Sequence, residues 1–239
     1  MKTLINITLV ASLAALSALT AQDAETTTNN VFNESYAAET GVLNGVGDSV
    51  NNSAFNFAYA GVMGGSGTDV RKSFFNIDLP TSDGVNALTS SANISNATLR
   101  IYYSGKHSNV SSDLSLYYET KSSTTTVAAD MYSAAWTDTG LGITQGSASG
   151  KYYELDVTSF VKASYDDVDS IASFRFETDN VSSYGTGPAW YRLGGTKTTG
   201  GNVSPGVPEL VLTTVPEPSS FALLAGCFAL TSIMVRRRR

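Results

Sequence analysis

The sequence predicts an all-β fold. It reads as a single β-sandwich, jelly-roll-like, with one short helix, between an N-terminal signal peptide and a C-terminal transmembrane helix. Three observations carry this. Short segments rich in β-branched and aromatic residues alternate apolar with polar positions. Clusters of Gly, Ser, Asn and Asp separate them. No long stretch has a helical period, and the two apolar runs stand at the chain ends.

The elements follow in order. Ser73-Phe74-Phe75-Asn76-Ile77-Asp78-Leu79 is an early strand, stopped by Pro80. Ala97 to Tyr103 alternates with Leu99, Ile101 and Tyr103 on one face. Asp113 to Glu119 does the same with Leu114, Leu116 and Tyr118. Asp156 to Ala163 begins as a strand and turns into a helix at Thr158, where Asp or Thr caps free N–H groups and Phe160 and Val161 pack inward. Ala172, Phe174 and Phe176 alternate with Ser173, Arg175 and Glu177, and Pro208 to Thr214 is the last strand. Gly61 to Gly67 reads as a flexible loop, because no Lys-Ser/Thr follows to make a phosphate cradle.

Met1-Lys2, an apolar run from Ile5 to Leu19, and small residues at Ala18, Thr20 and Ala21 before Gln22-Asp23 have the layout of a secretory leader. Ser219 to Val235 carries no charge, and its length of about seventeen residues is near the short end for spanning a bilayer. Arg236, Arg237, Arg238 and Arg239 follow at once, a cluster that holds the C-terminus on the cytoplasmic side. The chain therefore divides into a leader at 1–21, an exported β-sandwich domain at 22–214, and a membrane tail at 215–239.

Val215-Pro216-Glu217-Pro218, then an apolar helix, then a terminal arginine cluster, resembles a PEP-CTERM sorting signal. The resemblance implies that the chain is exported by secretion machinery. It also implies that an exosortase, a membrane transpeptidase, recognises the Pro-Glu-Pro and cuts near it. That family is linked to Gram-negative bacteria that make extracellular polysaccharide. The chain would be anchored by its tail before processing, then held at the cell surface or in the extracellular matrix.

Charge and cysteine usage narrow the classes. The formal charge is −6; without Lys2 and the four terminal arginines, ten basic residues face 21 acidic ones. An acidic body argues against binding nucleic acid or anionic lipid headgroups and keeps an exported chain soluble. The single cysteine, Cys227, lies in the apolar tail, so the exported domain has no disulfide of its own. About 195 residues remain for that domain, enough for one real core.

The body resembles a second family. Arg71-Lys72 precedes the apolar strand ending in Asp78-Leu79, and Ala97-Thr98-Leu99-Arg100-Ile101 follows. Then come Trp136, Asp156-Val157-Thr158-Ser159-Phe160-Val161, and the closing Pro208-Glu209-Leu210. This order is similar to the DNRLRE-type β-sandwich domain, akin to a carbohydrate-binding module. The six-residue motif that names that family is absent.

Catalytic chemistry finds little purchase. His107 is the only histidine and sits in a Ser-Gly-Lys-His-Ser-Asn loop, read as solvent-exposed; the exported domain has no thiol. Asp78, Asp156, Glu177, Asp179 and Glu209 could in principle pair around a glycoside, but their spacing singles out no pair. Asp166, Asp167 and Asp169 form a short acidic run that reads as a solvated turn, with calcium the cation it could take. No other cofactor is expected. Sugar binding calls for exposed rings beside polar groups. Tyr184, Trp190, Tyr191 and Arg192, around the loop at Gly187-Pro188, are the candidate contacts. Trp190 reads rather as a strand residue packed in the core, and Trp136 as packing.

The resulting expectation is a non-enzymatic envelope or extracellular-matrix protein that grips polysaccharide. A carboxylate-dependent polysaccharide-degrading enzyme and a purely structural surface protein are the alternatives.

Overall fold

The computed structural model describes residues 25–29, 32–40, 46–63, 69–79, 91–167, 171–178, 187–197 and 204–214. The leader, the tail, Asp169, Asp179 and Tyr184 lie outside the described residues. Among the described residues no helix is long and apolar enough to cross a membrane.

Among the described residues, twelve strands and one α-helix form the body. They are β1 (Glu25–Asn29), β2 (Phe32–Thr40), β3 (Ser49–Asn51), β4 (Phe57–Val62), β5 (Asp69–Asp78), β6 (Ile94–Lys106), β7 (Leu114–Lys121), β8 (Thr137–Ile143), β9 (Lys151–Asp156), α1 (Thr158–Asp166), β10 (Ile171–Thr178), β11 (Ala189–Gly194) and β12 (Glu209–Thr214). Every pairing is antiparallel, and hydrogen bonds join all strands into one sheet that curls towards a barrel. One half runs β3-β2-β5-β10-β7-β8. In the other, β6 has β9 on one edge and both β12 and β11 on the opposite edge. The halves meet where β4 pairs with the start of β5, Gly61 opposite Arg71 and Val62 opposite Val70.

The all-β expectation holds, and the strands predicted from alternation are present. The early strands β1 to β4 were not read from the sequence, and neither was β8. Gly61 and Val62, expected in a loop, are the end of β4. Gly61 has φ +124, and a Cβ there would come within 2.3 Å of the Ala189 carbonyl oxygen. Only glycine lets β4 lie this close to β11.

The core lies between the halves. Leu99, Ile101 and Tyr103 from β6, Leu210 and Leu212 from β12, and Leu193 from β11 meet Phe75, Phe174, Phe176, Leu114 and Leu116. Phe75 and Phe176 pack edge to face at 5.8 Å. α1 closes one end. Its Val161 is fully buried and Phe160 packs on Tyr118 at 5.1 Å. The helix start is pinned to β6: Thr158 Oγ1 accepts from the Ala97 amide at 2.8 Å, and Val157 N–H donates to the Ala97 carbonyl at 2.9 Å. Asp156 accepts from both the amide and the hydroxyl of Thr158, which holds its carboxyl below the usual range.

The central strands β5 and β10 are buried on both faces. Their outer face is covered by the segment 122–136, which crosses the sheet as a strap. Arg175 carries most of the attachment. Its guanidinium lies 4.9 Å from the Tyr117 ring and 4.8 Å from the Trp136 ring, and Nη1 donates to the carbonyls of Asp130 and Met131. Trp136 Nε1 donates to the Asp130 carbonyl at 2.8 Å, while its ring packs on Phe74. Asn76 reaches the strap at Thr124 and Thr126, and Asn52 exchanges two hydrogen bonds with Thr126.

Two outcomes follow from this packing. Trp136→Ala removes a buried ring, a hydrogen bond and one side of the Arg175 sandwich. It is expected to cost about 3–5 kcal/mol, read as a lowered urea midpoint. Asp156 has a depressed folded pKa, so its contribution is present above the unfolded carboxylate pKa and is lost as pH falls through the folded one. The difference in urea midpoint between wild type and Asp156→Asn is therefore expected near neutrality and to vanish well below about pH 4.

Candidate functional site

The outer face of the β4-β11-β6-β9 half carries a band of rings and arginines. Because β11 is hydrogen-bonded on both sides, its side chains alternate strictly. Trp190 and Arg192 point outward, half-buried, and Tyr191 points inward. Tyr191 is fully buried, packs on Tyr103 at 5.9 Å, and its hydroxyl donates to the Ser112 carbonyl at 2.8 Å. It is a core residue, and leaves the set of candidate contacts. Tyr184 lies outside the described residues.

Trp190 sits opposite Gly61, which offers no side chain to cover it. Tyr59 from β4 meets it edge-on at 5.5 Å and 86°. On the other side the His107 ring lies 5.6 Å away. The loop after β6 holds it there: His107 N–H donates to the Trp190 carbonyl at 2.8 Å, and Asn109 Nδ2 donates to the Pro188 carbonyl at 3.1 Å. The Asn109 amide in turn donates to His107 Nδ1 at 3.3 Å. His107, expected to be an isolated loop residue, is thus the end of a Tyr59–Trp190–His107 row.

A second row lies one step along the strands. The Arg192 guanidinium stacks 4.5 Å above the Phe57 ring, and its Nε donates to Ser104 Oγ at 3.1 Å. Among the described residues neither terminal nitrogen of Arg192 has a partner. Stacking and the Nε bond fix the plane of the group and leave its outer edge available to an oxygen acceptor.

The rest of the face is closed. Tyr102 and Tyr152 pack edge to face at 5.4 Å, Arg100 lies 4.8 Å over Tyr152, and Arg100 pairs with Glu154 and Glu209. The segment 204–208 lies on top, with Gly206 against the Tyr102 ring and the Val207 carbonyl accepting from Tyr152. Among the described residues the open part of the band is therefore Tyr59, Trp190, His107, Phe57 and Arg192.

The other predicted residues fall elsewhere. Trp136 is buried under the strap. Of the acids considered for paired catalysis, Glu177 pairs with Lys72 and Arg175, Glu209 with Arg100, and Asp156 with Thr158. Asp166 and Asp167 are exposed at the end of α1. Among the described residues no group of three His, Cys, Asp or Glu side chains could hold a metal.

No curated protein matches the chain. The family model for carbohydrate-binding module family 96 matches residues 62–186, just over half of it. The match runs from the end of β4 through β10, so it includes Ser104, His107 and the strap, and it stops just before β11 brings in Trp190 and Arg192. The chain belongs to carbohydrate-binding module family 96.

Proposed function

We propose that this protein is an exported, non-catalytic polysaccharide-binding protein whose ligand lies along the open band formed by β4, β11 and the loop after β6. The observation that carries the reading is the row Tyr59–Trp190–His107 beside the free edge of Arg192. Sugar rings present C–H faces that pack on aromatic side chains, and their oxygens accept hydrogen bonds from a fixed guanidinium. Both kinds of contact are offered within one patch. Membership of a carbohydrate-binding family supports the ligand class.

Sorting completes the reading. The leader sends the body across the membrane, the tail holds it, and an exosortase cuts near Pro216-Glu217-Pro218. The mature protein then resides at the cell surface or in the matrix, where its polysaccharide is found.

Affinity electrophoresis in gels containing neutral or uronate polysaccharides tests the binding face. Trp190→Ala and Arg192→Ala are each expected to weaken retardation about tenfold or more, with an unchanged thermal midpoint. Retardation equal to wild type in both variants would refute this location. Loss for Arg192→Ala only on uronates would mark that residue as the reader of ligand charge. The sorting step is tested by the mass of the protein from cells with and without the exosortase. Truncation near Pro216 to Pro218 is expected only with the enzyme, and an intact C-terminus in both removes that step.

A further inference from the structure

Beneath the strap, away from the binding band, lies a charged group that the binding function does not use. Lys72 of β5 is 8% exposed, Arg175 of β10 4% and Glu39 of β2 1%. Lys72 Nζ contacts Glu177 Oε2, and Arg175 Nη2 lies 3.3 Å from the same oxygen. Lys72 Nζ stands 4.5 Å over the Tyr132 ring, and the Tyr132 hydroxyl donates to Glu39. Burial lowers the Lys72 pKa, with Arg175 acting in the same direction and Glu177 and Glu39 opposing, so the ammonium gives up a proton more readily than in water.

We propose that Lys72 and Glu177 condense to an intramolecular amide that covalently joins β5 to β10. The contact between Lys72 and the half-buried Glu177, with Arg175 beside it, supplies the parts of that reaction. The Lys72 ammonium passes a proton to the Glu177 carboxylate it touches, and the freed nitrogen lone pair attacks Cδ of the acid so formed. As the C–N bond forms, the C=O electrons move onto one oxygen, and the Arg175 guanidinium stabilises that oxyanion. A second proton then moves from nitrogen to the other oxygen, and collapse restores the carbonyl and expels that oxygen as water. Of the three ammonium hydrogens, one stays on the amide nitrogen and two leave in the water. No oxidant or other reactant is needed.

The driving force is physical. Two charges held out of water are costly, and the condensation removes both. The remaining Arg175 and Glu39 leave the cluster electrically balanced. The link also closes a loop of roughly 100 residues in the unfolded chain, which a domain without cysteines cannot do by disulfide.

Intact mass and peptide mapping of the wild-type chain test this directly. The expected result is a mass lower than the sequence dictates by one water, with the Lys72 and Glu177 peptides recovered as one linked species. A mass equal to the sequence value, with Lys72 and Glu177 in separate peptides, overturns the proposal. Lys72→Arg keeps the positive charge but is expected to show the full sequence mass. The wild-type measurement stands even if a variant fails to fold.

Discussion

β6 is the constraint from which the rest of the architecture follows. Its thirteen residues pair with β9 along one edge and with β12 and then β11 along the other. A strand that serves three partners must be long, and must hand over from one partner to the next. The hand-over falls between Arg100, the last residue paired with β12, and Tyr103, the first paired with β11; just beyond it, at Ser104, the register with β11 shifts between Arg192 and Leu193. That irregularity re-aims the strand end, as bulges commonly do beside functional surfaces. It leaves Ser104 under Arg192 and delivers His107 to the flank of Trp190. The core and the candidate site therefore share one cause.

The opposite half uses a different economy. β5 and β10 are covered on both faces, yet their outer face is polar: Lys72, Asn76, Ser173, Arg175 and Glu177 all lie under the strap. Charges are tolerated there because each meets an opposite charge, a ring or a strap carbonyl. Satisfaction is incomplete: Asn76 Oδ1, Glu119 Oε2, Ser173 Oγ, Arg175 Nε and Glu177 Oε2 have no hydrogen-bond partner among the described residues. Burial raises the Glu119 carboxyl pKa, partly offset by Lys121. The hydrogen bonds that are made still fix the strap in one register, since any slip would break them.

Much of the fold was legible because apolar alternation survives wherever one face of a strand is wet. Leu99, Ile101 and Tyr103 announce β6 in this way, and so do Leu210 and Leu212 in β12. Where both faces are covered the period disappears, and β5 was recognised only in its second half. β4 was missed because its buried positions are Ala58, Ala60 and Gly61, too small to stand out among the Asn and Gly around them, with Val62 the one larger residue. The site was half legible for the same reason. Trp190 and Arg192 could be picked from composition, but choosing between Trp190 and Tyr191 needed the pairing of β11. Tyr59 and His107 join the band only through contacts between segments far apart in sequence, which no local pattern encodes. The strap gave no signal beyond Trp136, because carbonyl oxygens are what Arg175 binds.

The antiparallel pairing of the first and last strands has a spatial corollary. Glu25 faces Thr214, and Thr214 faces Ile94 at the beginning of β6. The Trp190 row lies past Lys106, at the other end of the same strand, roughly 40 Å away at the usual rise per residue. Both ends of the described chain thus leave from one pole, while the aromatic row occupies the opposite pole. A tether attached after Thr214 would stand the domain upright like a post, with its grip at the top. Polymer could then be caught at a height set by the length of a single strand.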